Sequence, residues 1–444
     1  MRNLATWILA AAILCMCECA RASDHEPQAG FLGRGGGAGG DSVLVLSGID
    51  LLDGTGSPLR RNVDITIEGS IIRSISEHGD LDIPASAEVL DLEGAYAIPG
   101  LIEGHTHITG SSEKSLELML MAGITTLRDM AGDGSYLRDL QEAVRSGEVQ
   151  APDVYFSALV GGPDLILDDA RAKLSTPMEY RLGSAPWMRA VDEGTDVAQL
   201  VADAAGCGAR GMKIYSHLSG SMVKRISAEA HRRGLKVWAH SFVGPATPED
   251  VVAAGADVIS HAPGLLCSPD WAPGKGGFEF DPGEIGSPRF DRVLAAMREQ
   301  GTMLDPTVAV FDIRLSANDT ETDSSKRRAV WEVVRRAHAQ GIPLVVGSDL
   351  PPPRSVGEKQ PLYAEMELLV DKVGLAPLDV VTAATRNNAV ALGIEESHGT
   401  LEPGKAADIV VISSDPTIGF PREEEITLVI KSGRIVSRRN GGGQ

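Results

Sequence analysis

The stretch Ile98-Pro-Gly-Leu-Ile-Glu-Gly-His-Thr-His107 predicts both a fold and a site. Its apolar part, residues 97–102, has the composition of a short buried strand, and two histidines separated by one residue follow it. Side chains two positions apart on a strand point in the same direction. We therefore expect His105 and His107 to project together from a strand end, as ligands of a divalent metal would. A single His-x-His pair is weak evidence for a metal site unless other parts of the chain supply further ligands.

The middle of the chain alternates apolar strand candidates with helical patterns. Eight strand candidates are present, at residues 97–103, 125–129, 154–160, 211–215, 236–239, 257–260, 302–305 and 344–347. Eight βα units in roughly 300 residues predict a (β/α)8 TIM barrel, whose active site lies at the carboxyl ends of the strands. A doubly wound open sheet is the alternative fold. It would favour a Gly-rich phosphate turn after the first strand, and the sequence has none there.

Short β-type segments separated by Gly, Pro and Asn turns occupy both ends of the folded region. We expect residues 42–97 and 396–444 to form the two parts of one small β-sandwich. Residues 98–395 would then be the metal-binding barrel. The domain organisation predicted from the sequence is thus a barrel inserted between two parts of a β-domain.

The amino-terminal residues indicate export. Residues 1–22 contain Arg2, an apolar stretch and an Ala-Arg-Ala cleavage site, which together are typical of a secretory signal peptide. Residues 23–41 are Gly-rich and predict a flexible linker. We expect a periplasmic or secreted protein without a stable membrane anchor after cleavage; a lipoprotein is the less favoured alternative.

Composition restricts the classes of partner. The 444 residues are 43% hydrophobic, which is enough for a large core and excludes global disorder. The formal net charge of −20 argues against nucleic acid or an anionic membrane as the main partner. A small-molecule substrate and a homo-oligomer are both compatible with these values.

Potential metal ligands recur where the predicted strands end. Lys213 lies in the fourth strand between apolar residues, His240 ends the fifth, His261 the sixth and Asp349 the eighth. One histidine at a strand end is commonly a structural residue. Four histidines, a lysine and an aspartate at five strand ends instead predict a metal site.

These motifs resemble the amidohydrolase superfamily, in particular its imidazolonepropionase-like and prolidase-like branch. The resemblance rests on Pro99-Gly-Leu-Ile-Glu-Gly-His-Thr-His107, the later histidines and Gly347-Ser-Asp349. It also rests on Ala383-Ala-Thr-Arg-Asn-Asn-Ala-Val-Ala-Leu-Gly393 and on Gly399-Thr-Leu-Glu-Pro-Gly-Lys-Ala-Ala-Asp-Ile-Val-Val411. It implies a distorted (β/α)8 barrel with a β-sandwich built from both termini, and a metal-dependent hydrolase of carbon–nitrogen bonds.

The resemblance also implies a binuclear centre. His105, His107 and Asp349 would hold one divalent ion and His240 and His261 the other, with Lys213, carboxylated by CO2, shared between them. Carboxylation needs a neutral amine, which an apolar strand favours by lowering the lysine pKa. Two ions, Zn being the first choice, would hold a bridging hydroxide for attack on an amide-type carbonyl. Asp349 would move the proton from the attacking water to the leaving amine.

Two mononuclear reactions and one non-enzymatic role are the alternatives. A deaminase of this superfamily usually has a glutamate soon after the fifth-strand histidine, whereas Ser-Phe-Val-Gly follows His240 here. An imidazolonepropionase-type cyclic-amide hydrolase would leave Lys213 without a role. A catalytically inactive binding or scaffold protein would be expected to have lost several ligands, and all six are present.

Residues near the predicted strand ends are candidates for substrate binding. Tyr215 and His217 follow Lys213 and could contact substrate. Arg128 and Asp129 end the second strand, where an internal salt bridge is the first interpretation and anchoring of a substrate carboxylate the alternative. The long segments 161–187 and 263–288 are candidate pocket walls, the second with Trp271, Phe278 and Phe280. Many dipeptidase-like relatives have Gly-Gly-His after the third strand, but this chain has Gly161-Gly-Pro163. Peptides and N-acyl amino acids are the favoured substrates; a lactam, carbamate or ester is also compatible.

Overall fold

The computed structural model describes residues 43–80, 83–267, 279–316 and 320–439. The predicted signal peptide and linker lie outside the described residues and stay predictions. Among the described residues, no helix has both the length and the apolar character that crossing a bilayer requires.

The amino-terminal strands form most of a separate sheet. They are β1 (Val43–Leu51), β2 (Arg60–Glu68), β3 (Ile71–Glu77), β4 (Glu88–Asp91) and β5 (Tyr96–Pro99). Strands β1, β2 and β3 are consecutive antiparallel neighbours, while β4 and β5 each pair with β1 in parallel. Alternating apolar side chains such as Ile65 and Ile67 are buried, as a sheet covered on one face requires.

The next strands form the barrel and its largest loop. They are β6 (Leu101–Thr106), β7 (Ile124–Asp129), β8 (Asp153–Gly161), β9 (Ser184–Ala185), β10 (Met188–Ala190), β11 (Gly211–Ile214), β12 (Lys236–His240), β13 (Val258–Ser260) and β14 (Met303–Asp305). The strands β6, β7, β8, β11, β12, β13 and β14 follow one another as parallel neighbours. The barrel is therefore built in chain order, as the alternation of strands and helices predicts.

The eighth predicted strand closes the barrel without a continuous ladder. Leu344 forms an isolated bridge with Leu304 of β14, and Leu350 forms one with Thr106 of β6. Between them, the Gly104 amide donates to the Val346 carbonyl at 2.9 Å. This closure confirms the (β/α)8 barrel, and the doubly wound open sheet is wrong.

Helices cover the outside of the barrel. They are α1 (Glu113–Met121), α2 (Gly134–Ser146), α3 (Pro163–Asp168), α4 (Ala170–Leu174), α5 (Val197–Gly206), α6 (Gly220–Arg232), α7 (Pro248–Ala253), α8 (Pro288–Gln300), α9 (Val308–Ser316), α10 (Glu321–Ala339), α11 (Pro361–Leu368), α12 (Pro377–Thr382) and α13 (Asn388–Leu392). Five-residue π-helical turns at Leu369–Val373 and Ala383–Asn387 continue α11 and α12, and 3-10 turns lie at Ala262–Leu266, Pro282–Glu284 and Glu423–Glu425. Ser, Thr or Asp side chains cap most first turns, as in the Thr247 and Asp250 capping box of α7.

The carboxyl-terminal strands complete the first sheet. These are β15 (Ile409–Ile412), β16 (Ile426–Lys431) and β17 (Arg434–Arg438), all antiparallel, with β15 pairing to β5. The small β-sandwich formed from both termini is thus confirmed. The domain boundaries given above stay predictions.

The first predicted barrel strand is divided between the two domains. The chain passes from β5 in the terminal sheet to β6 in the barrel at Gly100, whose amide donates to the Asp408 carbonyl at 2.9 Å. A side chain at Gly100 would collide with Thr125, so the close approach requires glycine. This crossing fixes the start of the strand that carries His105.

Candidate metal centre

Four predicted ligands meet at the carboxyl ends of β6, β13 and the closing segment. His107 Nε2 lies 3.0 Å and His105 Nε2 3.5 Å from Asp349 Oδ1, while His261 Nδ1 lies 3.9 Å from Asp349 Oδ2. One donor atom from each of His105, His261 and Asp349 can be chosen so that all lie within 4.8 Å of one another. This spacing is compatible with one shared cation.

The other two predicted ligands lie on the adjoining strands. The His240 ring, at the end of β12, is centred 4.5 Å from the His261 ring. Lys213, in β11, is 1% exposed and its Nζ donates to Ser260 Oγ at 3.2 Å. Burial lowers the pKa of Lys213 to about 7, although Asp305 and Asp349 oppose the shift. All six residues therefore belong to one group at the same end of the barrel, in which His105, Lys213 and His240 are buried and His107, His261 and Asp349 half-buried.

Burial and neighbouring charges favour the metal-binding forms of three histidines and of Asp349. Burial lowers the pKa of His105 to about 4 and lowers the pKa values of His240 and His261 well below the usual range. Burial alone would raise the pKa of Asp349, but the adjacent His105 and His107 hold it well below its usual value. At neutral pH these groups are neutral imidazoles and a carboxylate, a donor set that suits Zn and similar ions.

The backbone at this end of the barrel adopts positive φ at residues other than glycine. His261 has φ 75°, Asp349 φ 54° and His217 φ 63°, and Ala131 and Thr307 near other strand ends have φ 123° and 49°. Such conformations cost free energy and tend to be kept where function needs them. Their clustering around the ligands marks this end of the barrel as the functional one.

Asp305 is a site residue that the sequence reasoning missed. Its Oδ2 lies 2.7 Å from His105 Nδ1 and accepts a hydrogen bond from Ser260 Oγ at 2.9 Å. A carboxylate on Nδ1 orients the imidazole and leaves Nε2 free for a metal. The signal was available, since Asp305 ends the seventh strand candidate as His240 ends the fifth.

The predicted substrate-binding residues have different environments. The half-buried Tyr215 ring is centred 4.1 Å from the His240 ring, so it lies beside the ligands. His217 packs against Gly162, where an added side chain would collide with it, and its amide donates to the Val243 carbonyl at 2.8 Å. Arg128 is fully buried in the barrel, where Nη2 lies 3.8 Å from Asp305 Oδ2 and the guanidinium is 4.6 Å from the centre of the Trp238 ring. Its contacts are those of an internal ion pair with Asp305.

The segment 161–187, a candidate pocket wall, folds into α3, α4 and β9 and ends just before β10. It brings Arg171 of α4 to the site, with Nη1 3.1 Å from His107 Nε2 and Nη2 donating to the Tyr215 hydroxyl. Sequence reasoning did not identify Arg171. Of the second candidate wall, Trp271 and Phe278 lie outside the described residues, and Phe280 is 5.6 Å from Lys326 Nζ.

A second acidic cluster lies at the opposite end of the barrel. Asp153, His398 and Asp408 meet where the start of β8 contacts the terminal sheet. Lys431 donates to Asp153 and lies 3.8 Å from Asp408 Oδ2. Because lysine already supplies the positive charge, an internal ion pair explains this cluster.

Comparison with known proteins identifies the family to which the chain belongs. The model of the amidohydrolase family matches residues 96–436, and the chain belongs to that family. The expected class of enzyme, a hydrolase acting on carbon–nitrogen bonds, is thereby confirmed.

Individual relatives specify the branch. Imidazolonepropionase of Thermoplasma volcanium is 26% identical over 390 residues, covering 83% of this chain and 88% of the relative. Ochratoxinase of Aspergillus niger is 22% identical over 453 residues, covering 88% and 86%. A solved Xaa-Pro dipeptidase with bound methionine has a TM-score of 0.69 at 20% identity, covering 89% of this chain and 99% of the other. The chain lies in the imidazolonepropionase-like branch, as the sequence motifs predicted.

Proposed function

We propose that this protein hydrolyses an amide-type carbon–nitrogen bond at a binuclear metal centre. Peptides, N-acyl amino acids or similar small molecules are the proposed substrates. The observation that carries the proposal is a lysine 1% exposed among four histidines and an aspartate at one end of the barrel. A fully buried lysine is costly unless it has a specific role, and carboxylation gives Lys213 one.

The donor set fits two divalent ions. We assign His105, His107 and Asp349 to the first ion and His240 and His261 to the second, with carboxylated Lys213 shared. The distances of 3.0 Å and 3.5 Å from Asp349 to His107 and His105 support the first group, and the 4.5 Å between the His240 and His261 rings supports the second. Mixed imidazole and carboxylate ligands favour Zn.

When bound, the two ions would supply an activated water molecule and polarise the substrate carbonyl. Asp349 would accept the proton from that water and return it to the departing amine; the low pKa of its carboxyl group and its contacts with the histidine ligands support this role. Asp305 holds His105 in one tautomer through the 2.7 Å contact with Nδ1. Tyr215, beside His240, is a proposed substrate contact; the buried Arg128 is not.

Metal content per chain is the direct test. The protein would be purified without chelators in bicarbonate-containing buffer, analysed for metals, and assayed against dipeptides and N-acyl amino acids. Two equivalents with amide hydrolysis would support the proposal. No bound metal after incubation with Zn and bicarbonate would contradict it and favour a binding or scaffold protein.

A mononuclear cyclic-amide hydrolase is the second candidate. Its support is the 26% identity to an imidazolonepropionase, together with the grouping of His105, His261 and Asp349 around one possible cation position. One equivalent of metal, full activity without Lys213, and turnover of a cyclic amide would favour this candidate. The buried position of Lys213 favours the binuclear one.

We also propose that the protein is exported, with residues 1–22 removed. The n-region, apolar stretch and small-residue cleavage site support this proposal. Amino-terminal sequencing of protein from the periplasmic and culture fractions of expressing cells is the test. A mature chain that still begins at Met1 in the cytoplasm would contradict it.

A further inference from the structure

The segment that follows β14 runs directly beside the residue that ends the sixth barrel strand, His261. The His261 amide donates to the Asp305 carbonyl at 2.8 Å, and the Ala262 amide donates to the Pro306 carbonyl at 3.2 Å. The next residue, Thr307, is fully buried, and its Oγ1 lies 2.9 Å from His261 Nδ1. Strand β14 supplies none of the six proposed ligands, so the contacts at its end need another explanation.

The Thr307 hydroxyl bears on which nitrogen of His261 can bind a metal. Nδ1 also lies 3.9 Å from Asp349 Oδ2, but the Thr307 contact is the one with the length of a hydrogen bond. A neutral imidazole has one N–H group and one lone pair. When Nδ1–H donates to Thr307 Oγ1, the lone pair is on Nε2, where a metal ion can bind it. If the hydroxyl donated to Nδ1 instead, the proton would be on Nε2 and would block that nitrogen.

The backbone that presents the hydroxyl is in an unfavourable conformation. Thr307 has φ 49°, which is uncommon for a β-branched residue and costs free energy. Such a conformation persists when the surrounding structure holds it. The contacts with the backbone of His261 and Ala262 hold it on one side, so the residues that follow Thr307 must be held as well.

Glu365 of α11 holds the residues that follow. Its two side-chain oxygens accept from the Val308 amide at 2.8 Å and from the Ala309 amide at 2.5 Å, in the first turn of α9. Glu365 is fully buried, which is costly for a glutamate unless it has specific partners. An acidic group at a helix amino terminus satisfies free amides and interacts favourably with the helix dipole. Glu365 therefore fixes the chain immediately after Thr307.

We infer that Thr307 and Glu365 are positioning residues for His261. Thr307 selects the tautomer and the orientation of the ring, and Glu365 fixes the backbone that presents Thr307. Asp305 orients His105 in the same way through its 2.7 Å contact with Nδ1. The end of β14 thus orients one imidazole for each proposed ion and ligates neither ion. This inference rests on the proposed function, because that function gives His261 a metal to bind.

The first test removes the hydroxyl and keeps the branched shape. Thr307→Val should weaken the affinity for one of the two Zn ions by about 10- to 100-fold, the cost of losing such a partner. Chelator competition on the purified protein would measure this, and Thr307→Ser, which keeps the hydroxyl, should retain the affinity. Thr302→Val is the matched control, because the buried Thr302 donates to the Ala256 carbonyl at 2.9 Å at the other end of β14. It should retain the affinity, whereas unchanged affinity in Thr307→Val would overturn the inference.

The second test separates a positioning role of Glu365 from a purely structural one. Glu365→Gln keeps the size of the side chain but leaves one oxygen to accept from two amides, so metal affinity should fall. Tyr363→Phe is the control on the same helix, where the buried Tyr363 hydroxyl donates to the Ala122 carbonyl at 2.9 Å. Urea unfolding should show a loss of stability in both variants, with a loss of metal affinity in Glu365→Gln alone. A less stable Glu365→Gln protein with wild-type metal affinity would overturn the role of Glu365.

Nuclear magnetic resonance of 15N-histidine-labelled protein provides a readout that is independent of turnover. The His261 signals would be assigned by their absence in His261→Gln. We expect a proton on Nδ1 in the wild type and in Thr307→Ser, and faster exchange of that proton with water in Thr307→Val. A wild-type proton on Nε2 would overturn the inference whatever the metal content. One ion per wild-type chain, with the proton on Nδ1, would count against the binuclear centre but support the role of Thr307.

Discussion

In the proposed mechanism, carboxylated Lys213 is the ligand that both metal ions share. We predict that Lys213→Ala loses most of the activity and part of the bound metal, because the shared ligand is removed. Small carboxylic acids such as acetate or propionate should restore part of both, since they supply a bridging carboxylate. Kinetic assays and elemental analysis at increasing acid concentration would measure this.

Lys224→Ala is the matched control for that experiment, because Lys224 is an exposed residue of α6. It should keep the metal content and kcat/KM of the wild type. Full activity in Lys213→Ala would exclude the bridging assignment and favour a mononuclear site.

Asp305 tests how far metal binding depends on residues that contact a ligand and not the metal itself. Asp305→Asn keeps the shape of the side chain but removes the charge 2.7 Å from His105 Nδ1. We predict a 10- to 100-fold loss of metal affinity or activity, which is about what removal of such a partner costs. Chelator competition measures the affinity, and an unchanged value would show that the remaining contacts orient His105 sufficiently.

The six proposed ligands could be predicted from the sequence because each lies at or near the end of an apolar strand. Asp305 occupies an equivalent position, but a single aspartate there does not reveal that it faces a histidine 200 residues away in the chain. The position of Arg171 depends on how the helices after β8 fold back over the barrel. No local pattern specifies that contact, so Arg171 emerged only from the tertiary structure.

Closure of the barrel depends on a close approach between strand β6 and the segment that contains Gly347. The segment that carries Gly347 packs against β6 so tightly that a Cβ at Gly347 would lie 2.7 Å from the His105 backbone nitrogen and closer still to its Cβ. We predict that Gly347→Ala lowers the free energy of unfolding by at least about 2 kcal/mol, in the range of overpacked cores. It should also lower metal content, because Asp349 follows in the same segment.

Gly206→Ala is the control for Gly347→Ala, since Gly206 ends helix α5 and its added Cβ would meet no atom within 4 Å. Alanine there should leave stability unchanged or raise it slightly, because it favours the helix. Urea unfolding of both variants measures the difference. Equal stabilities would mean that the closing segment can move away from β6 at little cost.

Apolar periodicity predicted the number and order of the barrel strands, but not their pairing. The first candidate strand is divided at Gly100 because its two halves hydrogen-bond to different sheets. The eighth contacts its neighbours through isolated bridges and not through a continuous ladder. These features are decided by hydrogen bonding and packing between distant segments.

Lys431 joins the terminal sheet to the barrel. Its ammonium group is contributed by β16 of the terminal sheet and contacts Asp153 at the start of barrel strand β8. Burial alone would lower the pKa of Lys431, but Asp408 and Asp153 raise it above the ordinary value. Charge attraction therefore outweighs desolvation at this junction.

Lys431→Met would leave Asp408 buried without its positive neighbour, so we predict a loss of about 3 kcal/mol in the free energy of unfolding. Lys114→Met, which breaks an exposed 2.9 Å pair with Glu117, should cost less than about 1 kcal/mol. The double variant Lys431→Met/Asp408→Asn should recover part of the loss, because no uncompensated charge remains at Asp408. Metal content should stay at the wild-type level in all three, since the cluster lies at the opposite end of β8 from the ligands. A Lys431→Met protein as stable as the wild type in urea would mean that apolar packing alone holds the domains together.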